Sequence, residues 1–294
     1  MTDHQAVRKV LPANFPSRLK EISDPPNALY IEGDWPDPVA KWLAVVGSRR
    51  HSRYGLEACQ ELLAGLVGQP IVIISGLAIG IDTIAHRAAL KHRLPTIAVP
   101  GSGLDRSVLH PSSNCRLADE IVAGGGALVS ELEPTQPAGI HTFPRRNRIM
   151  AGLADAVLII EAGEKSGTLI TARLALDYNR EVLAVPGSIF SPVSRGVNTL
   201  IRQGAMPVNR HEDILQALNL FEENEGKDDN RQTRLFADLS PDEKKIVDLL
   251  AVEPLPRDEL IELAELSASA AAILLSTMEI KGLIRETLGE VRLA

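Results

Sequence analysis

The chain has 294 residues, of which 45% are hydrophobic and 23% charged, values of a globular protein that exclude a mostly disordered chain. Aromatic residues make up only 3%, which weakens any reading built on a broad aromatic surface for bases, and the net charge of −7 speaks against nucleic acid. Two cysteines, Cys59 and Cys115, form no disulfide framework and no apolar run reaches membrane length, so a cytoplasmic protein with no membrane partner is expected.

Divided along the chain, the charge changes meaning. Residues 1–220 carry 22 Lys and Arg against 21 Asp and Glu, whereas 221–294 carry 9 against 17. The acidity belongs to the tail.

Residues 1–40 hold Pro12, Pro16, Pro25, Pro26, Pro36 and Pro38, and predict an extended lead-in with at most a short helix. From Trp42 a pattern repeats. Apolar runs at 42–47, 70–75, 95–100, 126–130, 155–161 and 181–186 are continuous and rich in β-branched residues, as in parallel strands buried on both faces. Between and after them, 54–67, 81–92, 112–123, 145–153 and 168–178 carry helical periodicity, with further helical turns near 196–204 and 211–219. Alternation of this kind predicts an α/β fold over 41–220, an extended Rossmann-like, doubly wound and mostly parallel sheet. Residues 221–234 are polar and read as a linker. Residues 235–294 predict three helices and a β-hairpin turning near Gly289, the outline of a small C-terminal winged-helix domain.

In an open α/β sheet ligands bind beyond the carboxyl ends of the strands, and four segments sit there. The first, GSRRHSRYG at 47–55, offers a close-approach glycine (Gly47), hydroxyls (Ser48, Ser52), cations (Arg49, Arg50, Arg53) and a helix start, a set suited to phosphate. The second, SGLAIGIDTIAH at 75–86, places Asp82 and His86 one helical turn apart. No third ligand has a clear spacing, so a structural role is expected and no metal site. The third, HTFPRRNRIMAGL at 141–153, crowds Arg145, Arg146 and Arg148 beside Asn147 and Phe143 at a helix start, which suits a nucleic-acid backbone with a base packed nearby. The fourth, EAGEKSGTLITA at 161–172, presents Gly163, Ser166, Gly167 and Thr168 as a second phosphate cradle. It lacks the order of a P-loop, which argues against NTP hydrolysis. GxGxxG is absent after the first strand, so no dinucleotide cofactor is expected. No nucleophile–base arrangement stands out.

Taken together, GSRRHSRYG, SGLAIGIDTIAH, GSGLDRSVLHP, FPRRNRIMAGL, EAGEKSGTLITA and LAVPGSIFSPVSRGVNTLIRQGA resemble, in order, the bacterial DNA-processing protein A family, DprA, also called Smf. The early SRLKEISDPPNALYIEGD belongs to the same resemblance, which runs from about residue 15 to 207. It implies a non-enzymatic, sequence-independent single-stranded DNA binder, dimeric through its Rossmann-like domain, that protects incoming DNA and helps load RecA in natural transformation. The family's pocket carries over to Gly47, Ser48, Arg49 and Ser52, then to Phe143, Arg145, Arg146, Asn147 and Arg148, with Ser166, Gly167 and Thr168 beside them. Arg50 joins them as a cation of the same turn.

Two departures qualify the resemblance. Little sequence precedes SRLKEISDPPNALY, so the small N-terminal helical domain of many members is expected to be absent or to have been removed. The winged-helix region carries 6 basic against 12 acidic side chains over 235–294, and its candidate recognition helix, SASAAAILLSTMEIK, has one Lys and no Arg. This domain is therefore expected to make protein contacts rather than to read DNA. Two other readings compete. A phosphoribohydrolase-like nucleotide enzyme would need a PGGxGTxxE loop, but Thr168 is followed by Leu169, Ile170 and Thr171. A winged-helix transcriptional regulator would need a basic recognition face.

Overall fold

The computed structural model describes residues 6–221, 239–251, 253–287 and 289–293, so the linker expected at 221–234 lies, from residue 222 on, outside the described residues. The chain divides into two compact units between Phe221 and Glu222.

The first unit is built on a nine-stranded sheet. Its strands are β1 (Arg8–Val10), β2 (Leu29–Gly33), β3 (Lys41–Val46), β4 (Ile71–Ser75), β5 (Thr96–Ala98), β6 (Ala127–Ser130), β7 (Ala156–Ile159), β8 (Glu181–Ala184) and β9 (Met206–Pro207). They lie in the order β1-β2-β6-β5-β4-β3-β7-β8-β9. From β6 to β9 every pairing is parallel, while β1 and β2 add an antiparallel edge. The helices are α1 (Ser17–Lys20), α2 (Arg53–Ala64), α3 (Ile81–Lys91), α4 (Cys115–Ala123), α5 (Thr142–Leu153), α6 (Thr168–Asp177), α7 (Arg195–Arg202) and α8 (His211–Ala217).

Alternation along β3 shows why the runs are continuously apolar. Trp42, Ala44 and Val46 enter one core with Ile149, Met150 and Leu153 of α5 and Ala172 and Ala175 of α6. Leu43 and Val45 enter the opposite core with Leu62 and Leu63 of α2, Ile84 and Ala85 of α3 and Ile214 of α8. Both faces of the sheet are covered, as a doubly wound fold requires.

Residues 6–40 differ from the extended lead-in expected from the prolines of 1–40. β1 and β2 belong to the sheet, and Phe15, Leu19, Ile22, Leu29 and Ile31 are buried in its core. Ion pairs anchor the segment. Arg106 grips Glu32 through two bonds of 2.8 and 3.0 Å, and Arg18 meets Asp155 at 3.3 Å while stacking over Trp42.

The second unit contains α9 (Pro241–Leu250), β10 (Leu255–Pro256), α10 (Arg257–Leu263), α11 (Ala268–Ile280), β11 (Ile284–Thr287) and β12 (Glu290–Leu293). Ser240 and Glu243 close α9 with a capping box. The expected hairpin is joined by the two-residue β10, giving the sheet order β10-β12-β11 over a core of Ile246, Leu250, Leu260, Leu275, Met278 and Val291.

Candidate nucleic-acid interface

Sheet order fixes the place of the site. From β3 the chain passes to β4 on one side, while β7 lies against β3 on the other. The loops that follow β3 and β7 therefore part at a topological switch point, where open α/β sheets bind ligands. An open cleft of about 910 Å³ lies there.

Close packing shapes its walls. Gly80 has φ +87°, and a Cβ there would overlap the Ser48 carbonyl, which accepts a hydrogen bond from the Ile81 amide at 3.2 Å. Ser48 Oγ accepts from the Arg50 amide at 3.0 Å, folding the turn back on itself. Across the cleft, Thr168 Oγ1 donates to the Gly47 carbonyl at 3.1 Å, and Ser166 Oγ accepts from the Thr168 amide at 3.2 Å. α6 opens at Thr168, so the positive end of its dipole faces the cleft. Asn147 Nδ2 reaches the Gly167 carbonyl at 3.5 Å and ties α5 to this loop.

The aromatic element is Phe143. Its ring lies 5.0 Å from the Arg49 guanidinium and edge-on to His110, with ring centres 5.6 Å apart. Gly101 makes room for it, since a Cβ there would come within 2.5 Å of the ring.

Of the thirteen residues expected to form the DNA pocket, Gly47, Ser48, Arg49, Arg50, Phe143, Arg146, Asn147, Ser166, Gly167 and Thr168 line this one cleft. Three others do not, each for a physical reason. Ser52 caps α2 and donates its hydroxyl to Glu161 at 2.5 Å, turning to a neighbouring cavity. Arg145 pairs with Glu131 at 2.8 Å outside the cleft. Arg148 is buried at 6% exposure between Glu131 and Asp24. Successive helical positions point about 100° apart, so one arginine run is dispersed over three environments.

Arg146 lines the cleft but is itself buried, at 8% exposure. It donates to the carbonyls of Gly76 (2.6 Å) and Val99. Burial pulls its pKa down to about 10, with Asp82 opposing the shift and Arg49 adding to it. Burial likewise raises the Asp82 carboxyl above its usual range, against the guanidinium of Arg146 and the amides of Ala78 and Gly76. A side chain at Gly76 would overlap the Arg146 guanidinium. The Asp82–His86 pair is divided: Asp82 serves Arg146, whereas His86 Nδ1 meets Thr96 Oγ1 at 2.8 Å and burial drops its pKa to about 3. Among the described residues no group of three His, Cys, Asp or Glu could hold a metal ion.

Sequence reasoning missed Lys165, Ile170 and Val193, which also line the cleft. Lys165 sits inside a loop already marked as a phosphate cradle, and its exposed charge beside Ser166 was the available signal. Among the described residues no helix is long and apolar enough to cross a membrane.

Comparison with known proteins agrees with this architecture. The sequence profile described as DNA recombination-mediator protein A matches residues 8–219, and the DprA winged helix domain profile matches 231–290. Protein Smf of Escherichia coli strain K12 is 46% identical over 204 residues, 69% of this chain and 54% of that protein, so the chain spans about half of that relative's length. The DNA processing protein DprA of Streptococcus pneumoniae is 45% identical over 203 residues, 68% of this chain and 70% of that protein. The X-ray structure of DprA from Streptococcus pneumoniae superposes with a TM-score of 0.66 and 38% identity, over 72% of this chain and 75% of that one. A Helicobacter pylori DNA processing protein A, solved to study its single-stranded DNA binding mode, gives 0.64 and 30%, over 74% and 98%. The chain belongs to the DNA recombination-mediator protein A family, DprA/Smf.

Proposed function

We propose that the protein binds single-stranded DNA without sequence preference, in the cleft between the β3 and β7 loops, and performs no covalent chemistry there. One observation carries this reading. Exposed Arg49, Arg50 and Lys165 and the α6 N-terminus converge on an open groove that also holds the Phe143 ring, a set that neutralises phosphates and gives a base something to pack on. The Helicobacter pylori relative, at 30% identity, supports the same ligand class.

Asp82, the carboxylate of the cleft wall, is committed to Arg146 and backbone amides, so it offers no free base for hydrolysis. In the finer proposal the bound strand is protected, handed to RecA during transformation, and held by a homodimer formed through the Rossmann-like unit. The family resemblance alone supports those steps. The acidic winged-helix unit is assigned protein contacts rather than duplex reading.

The direct test is a binding titration of the full chain with a fluorescent thymidine oligomer and a matched duplex. Tight, salt-sensitive binding to the single strand and weak binding to the duplex supports the proposal. Release of free base from a nucleoside monophosphate would overturn its non-enzymatic part.

A further inference from the structure

The carboxyl end of the sheet carries a second cavity, of about 690 Å³, lined by Ser52, Tyr54, Glu161, Gly187, Ser188 and Ser191 among others. Its chemistry differs from that of the cleft. The Glu161 carboxylate, 1% exposed, accepts from the Ser52 amide at 2.9 Å and the Ser52 hydroxyl at 2.5 Å. Arg53, the cation of this wall, pairs with Glu57 at 2.8 Å. The Tyr54 hydroxyl donates to the Pro186 carbonyl at 2.7 Å, which fixes its ring on the rim. The buried carboxylate and the pairing of Arg53 with Glu57 leave this cavity with less free positive charge than the cleft, and it suits the uncharged parts of a nucleotide.

The loop between β8 and α7 separates the two cavities: Val193 lines the cleft, while Ser188 and Ser191 line the second. At its tip Ile189 is 76% exposed and Phe190 86%. Turns hold this tip outward, since Ser188 Oγ accepts from the Phe190 amide at 3.2 Å and the Ser191 amide donates to the Ser188 carbonyl at 3.0 Å. In so aromatic-poor a chain, Ile189 and Phe190 stand side by side in solvent between two cavities, and the phenyl ring is open to a stacking partner. Exposed Ile79, Ile140 and Ile170 stand on other segments at the same end of the sheet. Single strands favour such a rim because every base has a stackable face, whereas a duplex hides its faces inside.

We infer that a single strand leaving the cleft crosses the β8–α7 loop and packs a base on Phe190, with the adjoining cavity receiving that base or its sugar. The inference rests on reading the cleft as a single-strand site. Phosphates are held inward at Arg49 and the α6 N-terminus, one base packs on Phe143 in the cleft, and bases beyond it turn outward onto the rim.

The test compares Phe190→Ala, Phe190→Trp and Arg49→Ala in the full chain, each binding thymidine oligomers of about four and about sixteen nucleotides. Expected is a loss of about five-fold or more for Phe190→Ala on the long oligomer only, since stacking one base is worth at least about that factor. Phe190→Trp keeps the affinity, and its fluorescence is quenched by the long oligomer but not the short one. Arg49→Ala weakens both lengths. Unchanged long-oligomer binding by Phe190→Ala, with Arg49→Ala weakened, overturns the path and leaves the cleft reading standing. Equal loss at both lengths places Phe190 inside the cleft's own contacts and also overturns the path. Failure of the parent chain to bind either oligomer overturns both readings.

Discussion

The guanidinium of Arg49 lies 5.0 Å from the centre of the Phe143 ring, and both residues line the same cleft. The contact joins the turn after β3 to the first turn of α5, segments far apart in sequence. A ring orients the guanidinium without neutralising it, so the full charge stays available to a phosphate.

Replacing Arg49 by Ala is therefore expected to weaken binding of all single-stranded sequences alike, by about ten-fold or more, as for loss of a hydrogen bond to a charged group. The slope of log affinity against log salt should fall by about 0.7 for each phosphate that the variant no longer neutralises. Arg49→Lys keeps the charge but loses the planar stack, and should fall between. Fluorescence anisotropy at several salt concentrations reads both quantities.

Arg146 behaves differently. It donates to the Gly76 and Val99 carbonyls and its charge opposes the burial-raised pKa of Asp82, so Arg146→Ala leaves two buried carbonyls and the Asp82 carboxyl without it. The expected cost is about 1–3 kcal/mol of folding stability, with DNA affinity falling as a consequence of the altered wall. Adding Asp82→Asn should recover part of that stability. Denaturant unfolding of the two variants checks this, and full stability in Arg146→Ala would contradict the assignment.

His86 makes stability sensitive to acid. Its folded pKa of about 3 lies below the ordinary 6.5, so its contribution is complete above about pH 6.5 and is lost as pH falls toward 3. The slope from this one group approaches about 1.4 kcal/mol per pH unit inside that window. His86→Gln keeps a polar partner for Thr96 but cannot take the proton. Relative to it, the parent chain should lose stability on acidification, and parallel pH curves for the two would count against the argument.

Gly55 faces Glu161 so closely that a Cβ would lie 2.4 Å from Oε2. Gly55→Ala must push the carboxylate off Ser52, and should cost about 1–3 kcal/mol through overpacking of the α2 start. Thermal unfolding measures it.

The parallel strands were legible because burial on both faces demands unbroken apolar runs, and WLAVVG and DAVLIIE are such runs. The loops of the site were legible because Gly, Ser and Arg cluster where a backbone must approach an anion. β1 and β2 were not, because short antiparallel strands among prolines carry no long apolar run and are held partly by Arg106 on Glu32, a partner remote in sequence. The fates of Arg145, Arg146 and Arg148 were also hidden. Their string marks an anion site, but Glu131, Asp24 and Asp82 decide which charges are spent, and only the fold brings those acids near. The −7 total misleads in the same way, since the excess lies in 221–294 rather than at the cleft.

Removal of residues 222–294 follows from that division. The first unit, near neutral overall and carrying the whole cleft, should keep its single-strand affinity or gain slightly as acidic repulsion disappears. The second unit alone should give no shift with duplex DNA at moderate salt. A several-fold loss of single-strand affinity on truncation would place part of the site in the tail.

Electrostatic capture of a single strand in the β3–β7 cleft is the proposal on which these outcomes depend. A salt titration of full-length protein with a thymidine oligomer and a duplex of equal length tests it most directly. Single-strand affinity should fall steeply and linearly in log salt, with weak duplex binding throughout and a shallower slope in Arg49→Ala. A salt-independent affinity, equal binding of both forms, or an unchanged slope in Arg49→Ala would contradict it.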